Sequence, residues 1–173
     1  STTLRDDTLL DTQIEDVFIS FSCGRPQSQI VRVETPLGQG EVTDADIRRV
    51  VSMARHQGNR QDREIVHSAP LGYAVDAATG IRDPRGMFGE RLGVSVHMVS
   101  AAVAPLHNLE VCVEKCHLDI SGRAVAAYAA GLGCLHDEEL EYGATIVDMG
   151  GGTTSIAAFS EGKLVFCDVI PVG

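Results

Sequence analysis

One run of residues is shaped for chemistry: Asp148-Met149-Gly150-Gly151-Gly152-Thr153-Thr154, set between two apolar stretches. Three consecutive glycines strip the backbone of side chains, so successive N–H groups can approach and cradle a phosphate. An aspartate closing the preceding strand can hold hydrated Mg²⁺, a cation that takes one or two carboxylates together with waters and phosphate oxygens. The hydroxyls of Thr153 and Thr154 add donors. A plain hairpin turn also uses glycine, and the strand–loop–strand context favours the phosphate cradle over it.

Other groupings are weaker. Cys112 and Cys116 lie four apart beside His117, with His97 and His107 elsewhere in the chain. Zinc wants four ligands in a tetrahedron, and no second close pair is present. The same spacing puts both sulfurs on the apolar face of a predicted helix, where free cysteine packs as a small hydrophobe. Arg82, Arg85 and Arg91 are interleaved with Asp83 and Glu90, which predicts a solvated, ion-paired loop. His67 and His97 fall in strand runs and read as structural histidines. No nucleophile motif or Ser/His/Asp arrangement is present, so covalent hydrolase chemistry has no support.

Composition narrows the classes further. The chain has 173 residues, 24 acidic against 14 basic, for a formal charge of −10. That balance argues against a non-specific nucleic-acid binder, which needs a basic face. Apolar residues make up 44%, enough for a sizeable core and too many for intrinsic disorder. The uncharged stretch from Ala124 to Leu135 is far shorter than the ~18 residues of a membrane span. Five cysteines without a CxxC pair suit a reducing, cytoplasmic compartment rather than a disulfide framework.

The elements that must position the glycine run follow from periodicity. Residues 1–16 carry weak helical spacing. Strands are predicted over Val17–Phe21 and Gln29–Glu34. Thr43 caps a helix with Asp44 and Asp46 in its first turn and Ile47, Val50, Val51 and Ala54 on one face, ending near Gly58. Two strand runs, Glu64–Ala69 and Gly72–Val75, are separated by Pro70, and Thr79-Gly80 reads as a turn. Leu92–Val99 alternates as a half-buried strand, with Leu92, Val94, Val96 and Met98 on one side. A helix from Pro105 to His117 follows, burying Leu106, Leu109, Cys112, Val113 and Cys116. Then come a short strand (118–125), an Ala-rich helix (126–135) and an acidic loop (136–141). The chain closes with a three-strand meander over 144–169, whose open edges are expected to invite self-association through Val165, Phe166 and Val169. The order of elements and a closing strand without a following element predict an internal piece of a larger protein.

Strand–DxGGGT–strand, followed by a Glu161-Gly162 turn and a third strand, resembles the second phosphate loop of the actin–Hsp70–hexokinase ATPase superfamily. Glu41-Val42-Thr43 opening a helix, the run HSAPLGYAVDAATGIRDPRGMFGERLGVSVHMV (67–99) and LEVCVEKCHLDI (109–120) together resemble the FtsA family of bacterial cell-division actins, its alphaproteobacterial branch in particular. The resemblance covers residues 17–173. It implies an α/β, actin-like (RNase H-like) fold with an inserted strand-helix-strand-strand module. On that pattern residues 1–21 and 101–143 belong to the first actin-like subdomain, 22–100 to the insert, and 144–173 open the second subdomain.

The family implies ATP and Mg²⁺ held between two lobes, with Asp148, Gly150, Gly151, Gly152, Thr153 and Thr154 as the phosphate loop and Asp148 meeting Mg²⁺ through water. The other phosphate loop and the adenosine motif have no match in these residues, so tight ATP binding by the chain alone is not expected. Partners implied are an FtsZ-type tubulin homologue, other division proteins and further copies in filaments. No nucleic acid is implied, and the membrane is reached only through a C-terminal amphipathic helix outside these residues. The implied location is the cytoplasmic face of the inner membrane at the division site. The family pattern also places a partner-docking groove at the loop from His56 to Glu64. There Asp62 and Glu64 would attract a basic peptide, or would instead pair with Arg60 and Arg63. Two alternatives remain on the residues alone: a pilus-assembly actin homologue with a similar insert, and a small nucleotide-hydrolysing or sugar-kinase-like domain.

Overall fold

The computed structural model describes residues 14–38 and 40–173, so nearly all of the weak helical stretch read over residues 1–16 lies outside the described residues. Among them the elements are β1 (Asp16–Phe21), β2 (Gln27–Pro36), α1 (Asp44–Gly58), β3 (Arg63–Val75), β4 (Ala78–Ile81), β5 (Arg91–Ala102), α2 (Val103–Glu114), β6 (Asp119–Val125), α3 (Ala126–Cys134), α4 (Asp137–Tyr142), β7 (Ala144–Met149), β8 (Thr154–Ser160) and β9 (Lys163–Ile170). β1 and β6 form a parallel pair. The other strands make one seven-stranded sheet in the order β4-β3-β5-β2-β9-β8-β7. None of the described helices is long and apolar enough to cross a membrane.

Helix α1 begins where its cap chemistry places it. The Thr43 hydroxyl accepts from the Asp46 N–H at 3.3 Å, while the Asp46 carboxylate takes the Thr43 N–H at 3.1 Å. This reciprocal capping satisfies two orphan donors of the first turn. It also holds the Asp46 carboxyl below its usual range, because the hydroxyl and N–H of Thr43 both favour the charged form. Val50 and Ala54 are then fully buried against β2 and β5, in a core with Val31, Val94, Val96 and Met98.

A second core lies on the other face of the sheet, built on Phe21, Val99, Leu106, Val125, Phe159 and Leu164. β5 belongs to both cores. The alternating pattern predicted one buried face, but His97, Val99 and Ala101 on the opposite face are each 0% exposed as well. The strand is central, with β3 and β2 on its flanks, so its second face is covered by elements far away in sequence.

Pro70 does not break β3, contrary to expectation. The strand runs continuously from Arg63 to Val75, with register shifts at Ile65/His67 and Pro70/Gly72. β4 pairs with it only at Tyr73 and Val75. Pro70 therefore sits where β3 is an outer strand beside a bulge, the place in a sheet that tolerates a missing N–H. Thr79 and Gly80 lie within β4 rather than in a turn; the chain reverses at Asp76, whose φ is +52°. Residues 136–141, expected as a loop, instead supply the cap and most of α4. Its start is fixed by the Glu139 carboxylate accepting the His136 N–H at 2.9 Å.

The meander of β7, β8 and β9 joins the sheet through one pair, Gln27 with Asp168. Thus the β9 edge is partly taken, and the outer edge of β7 has no strand partner among the described residues.

Candidate functional site

The glycine run forms the tip of the β7–β8 hairpin. Register pairs Asp148 with Ser155 and Met149 with Thr154, and the Gly150 N–H closes the turn onto the Thr153 carbonyl at 2.9 Å. Gly150, Gly151 and Gly152 all avoid the left-handed region. The turn therefore does not need glycine for its dihedral angles, as a tight primed hairpin turn would. A Cβ at Gly151 or Gly152 would meet nothing within 4 Å. The direction in which those side chains would point is open, and the N–H groups of Gly151, Gly152 and Thr153 donate to no backbone acceptor among the described residues.

Asp148 is half-buried, on the same face of β7 as Ile146, which packs on the second core. Its carboxylate makes no hydrogen bond or ion pair among the described residues. No group of three or more His, Cys, Asp or Glu among the described residues could hold a metal by itself. One free carboxylate beside unpaired N–H groups fits a hydrated Mg²⁺ riding on a phosphate, and does not fit an all-protein metal cage. Thr154 is already engaged: its hydroxyl donates to the Val172 carbonyl at 2.7 Å. Gly173 packs against the backbone of Gly150–Gly152, where an added Cβ would come within 2.6 Å.

Beneath the loop, Ser155 is buried with its hydroxyl 3.3 Å from that of Ser22. This contact ties the loop's second strand to the end of β1. Only the fold brings these two serines together, since they stand 133 residues apart.

The two proposed docking carboxylates part company. Asp62 lies in the exposed turn before β3, where its main-chain carbonyl accepts the Val103 N–H at 3.2 Å. Glu64 is in β3, and its partner is neither Arg60 nor Arg63. It is bound by the Arg123 guanidinium of β6, which also holds Glu110 of α2. This three-way bridge fastens the β3 end of the sheet to the β6–α2 layer, and the Glu64 hydrogen bond foremost holds Arg123 in its charged form. Arg63 turns the other way, its Nε donating to the Ser100 hydroxyl at 3.0 Å. Four strands separate Glu64 on β3 from Asp148 on β7, so the docking and phosphate residues do not form one site.

Of the weaker groupings, the arginine loop is solvated and paired as read. Arg85 reaches Asp44 at 2.7 Å and Asp83 at 3.0 Å, and Arg91 reaches Glu34 at 2.9 Å. The cysteine reading needs correction, because Cys112 and Cys116 are both exposed. α2 buries its Leu106 side, and the chain leaves helical geometry at His117, with φ +59°, so Cys116 lies past the helix.

Comparison with known proteins follows the same lines. Residues 23–100 match the family model described as the SHS2 domain inserted in FTSA. The chain is 44% identical over 160 residues to the cell division protein FtsA of Rhizobium meliloti (strain 1021), covering 92% of this chain and 36% of that protein. It is 32% identical over 163 residues to the FtsA of Escherichia coli (strain K12), covering 94% and 39%. The chain thus spans well under half the length of these curated relatives. Among solved structures, the PilM-PilN type IV pilus biogenesis complex superposes with a TM-score of 0.50 at 16% identity, over 94% of this chain and 44% of that one. At that identity the likeness is one of fold.

Proposed function

The chain belongs to the FtsA family of cell-division proteins, with an α/β actin-like fold carrying the SHS2 insert, and from that premise we propose that the β7–β8 loop is one wall of an ATP site. One observation carries the reading. Three consecutive N–H groups, on Gly151, Gly152 and Thr153, lack backbone acceptors beside the free carboxylate of Asp148. Those N–H groups would bind phosphate oxygens, Thr153 would add its hydroxyl, and Asp148 would orient the hydrated Mg²⁺. The bound metal would neutralise phosphate charge. Thr154 joins the set when its hydroxyl exchanges Val172 for the ligand.

On this reading residues 14–21 and 101–143 form part of one lobe, 144–173 open the other, and 22–100 stand apart for contacts with division partners. Those partners would be an FtsZ-type filament protein, other division proteins and further copies of the family. The proposed place of work is the cytoplasmic face of the inner membrane, with attachment supplied by segments outside these residues. A loop from a single lobe offers donors from one side, so this chain alone should hold ATP far more weakly than the full-length protein.

Titration of the full-length protein with a fluorescent ATP analogue, with and without Mg²⁺, tests this. Asp148→Ala should remove the Mg²⁺-dependent gain in affinity. An unchanged gain would reduce the loop to a plain hairpin.

A further inference from the structure

Strand β2 is a sheet edge for most of its length. β5 pairs with it from Gln27 to Pro36 without a register shift, whereas β9 takes only Gln27 on the other side. From Gln29 to Thr35 the outward N–H and C=O groups have no ladder partner among the described residues. A straight, unpaired edge is a template for a further strand. Proline, bulges and inward-pointing charges are the usual safeguards. Here proline comes only at the end, at Pro36, there is no bulge, and the charged Arg32 and Glu34 face solvent.

Beside this edge runs an open groove of about 430 Å³ lined by Val33, Ser52, Met53, His56 and Gln57. Met53, 42% exposed, gives the groove an apolar wall. The edge and the groove lie together along the β2 side of α1.

The charge pattern says what fits there. We propose that two copies of this chain pair antiparallel through β2, with the two-fold axis at Val33. Directly opposed residues in an antiparallel pair point to the same face of the sheet. A register centred on Val33 puts Arg32 of each copy opposite Glu34 of the other, and Val31 opposite Thr35. Centring on Arg32 or Glu34 puts like charges face to face. Shifting by one residue opposes the buried row Val31, Val33, Thr35 to the solvent row. Centring on Val31 or Thr35 keeps the rows but leaves Arg32 and Glu34 opposite uncharged residues, so the register at Val33 is the one that keeps the buried row and also sets each charge against its opposite. It also leaves Gln27 and Ser28 to β9. Glu34 already meets Arg91 within its own chain at 2.9 Å; both are exposed, and a carboxylate has acceptor capacity for a second guanidinium. The two-fold axis stands perpendicular to the sheet, so both α1 helices fall on one face and the two grooves adjoin. The inference stands on the sheet edge alone and does not depend on the nucleotide reading.

Sedimentation velocity of this chain over a concentration series tests it. A concentration-dependent dimer is expected. Arg32→Glu and Glu34→Arg should each weaken it roughly tenfold, because two symmetry-related pairs turn repulsive together. An equimolar mixture of the two single variants should form a heterodimer tighter than either homodimer, since a strand with two carboxylates at these positions then faces a strand with two guanidinium groups. The doubly swapped chain should regain the parent's affinity. Both side chains are exposed, so circular dichroism should show unchanged folding. A monomer at every concentration overturns the proposal. So does a dimer indifferent to both substitutions, which would place self-association on the β7–β9 meander, or a mixture that fails to recover.

Discussion

His97 Nε2 lies 2.9 Å from the Ser28 hydroxyl, beneath the junction of β2 and β9. Ser28 donates its one proton to the Cys167 carbonyl at 2.8 Å. Its oxygen accepts from the Cys167 N–H, and His97 Nε2 shares the same hydroxyl, with the direction of that bond set by the ring's tautomer. His97 Nδ1 is buried without a partner among the described residues. These bonds join the SHS2 module to the meander at the single strand pair between them.

The acid limb of stability should report this arrangement. Burial foremost, then the neighbouring His67, pushes the His97 pKa from 6.5 down to about 4. A histidine with a lowered folded pKa contributes fully above its unfolded pKa near 6.5, and loses that contribution as pH falls toward 4. His67 is shifted the same way by its own burial and adds to the limb. The loss expected from His97 is on the order of 3 kcal/mol. In urea unfolding at about pH 7 and about pH 4.5, His97→Leu should be less stable at neutral pH but show a smaller acid loss. An equally steep loss would assign the limb to other groups.

Arg123 should behave as a structural link. Arg123→Leu leaves Glu64 and Glu110 half-buried without the guanidinium they share, with only the His107 ring, 3.9 Å from Glu110, nearby among the described residues. A cost of about 2 kcal/mol is expected, measurable by urea unfolding. Adding Glu64→Gln should recover part of it by removing one of the two charges. A cost near zero would make the bridge an incidental surface contact.

Two glycines of α3 make opposite predictions. A Cβ at Gly131 would meet the Phe159 ring at 2.5 Å, whereas one at Gly133 meets nothing within 4 Å. Gly131→Ala should therefore cost about 1–3 kcal/mol through overpacking. Gly133→Ala should be neutral or stabilise by up to ~1 kcal/mol through helix propensity. Thermal unfolding of the pair decides it, and similar shifts for both would contradict the packing described.

The glycine loop separates folding from binding. Gly151→Ala and Gly152→Ala introduce neither a clash nor a left-handed strain, so melting temperature should hardly change. Each methyl does occupy the open surface of the loop. In the full-length protein both variants should weaken Mg²⁺-dependent ATP binding roughly tenfold or more, read by the same fluorescence titration. Unchanged affinity would place the phosphate elsewhere.

Local features are legible in the residues alone. Thr43 and Asp46 cap α1 because both partners lie within one helical turn, and the β7–β8–β9 meander follows from alternation and two short turns. The glycine run declares its conformational freedom, although its dihedral angles show that openness rather than turn geometry is what the glycines supply. Cys112 and Cys116 mislead for a definable reason: their i, i+4 spacing puts them on one helix face, while which face is buried depends on what α2 packs against.

What the sequence determined by itself, then, was most of the elements and the glycine hairpin loop of Asp148–Thr154, because caps, periods and turn residues act over a few positions; the continuity of β3, strand β4 and helix α4 escaped it. The tertiary structure alone decided which strands became neighbours. Only that pairing buries both faces of β5, lets Pro70 ride in an outer strand, binds Glu64 to Arg123, and leaves most of the β2 edge unpaired among the described residues. Each depends on contacts between residues tens of positions apart, whose closeness is settled by how whole faces pack and not by any residue's own preference.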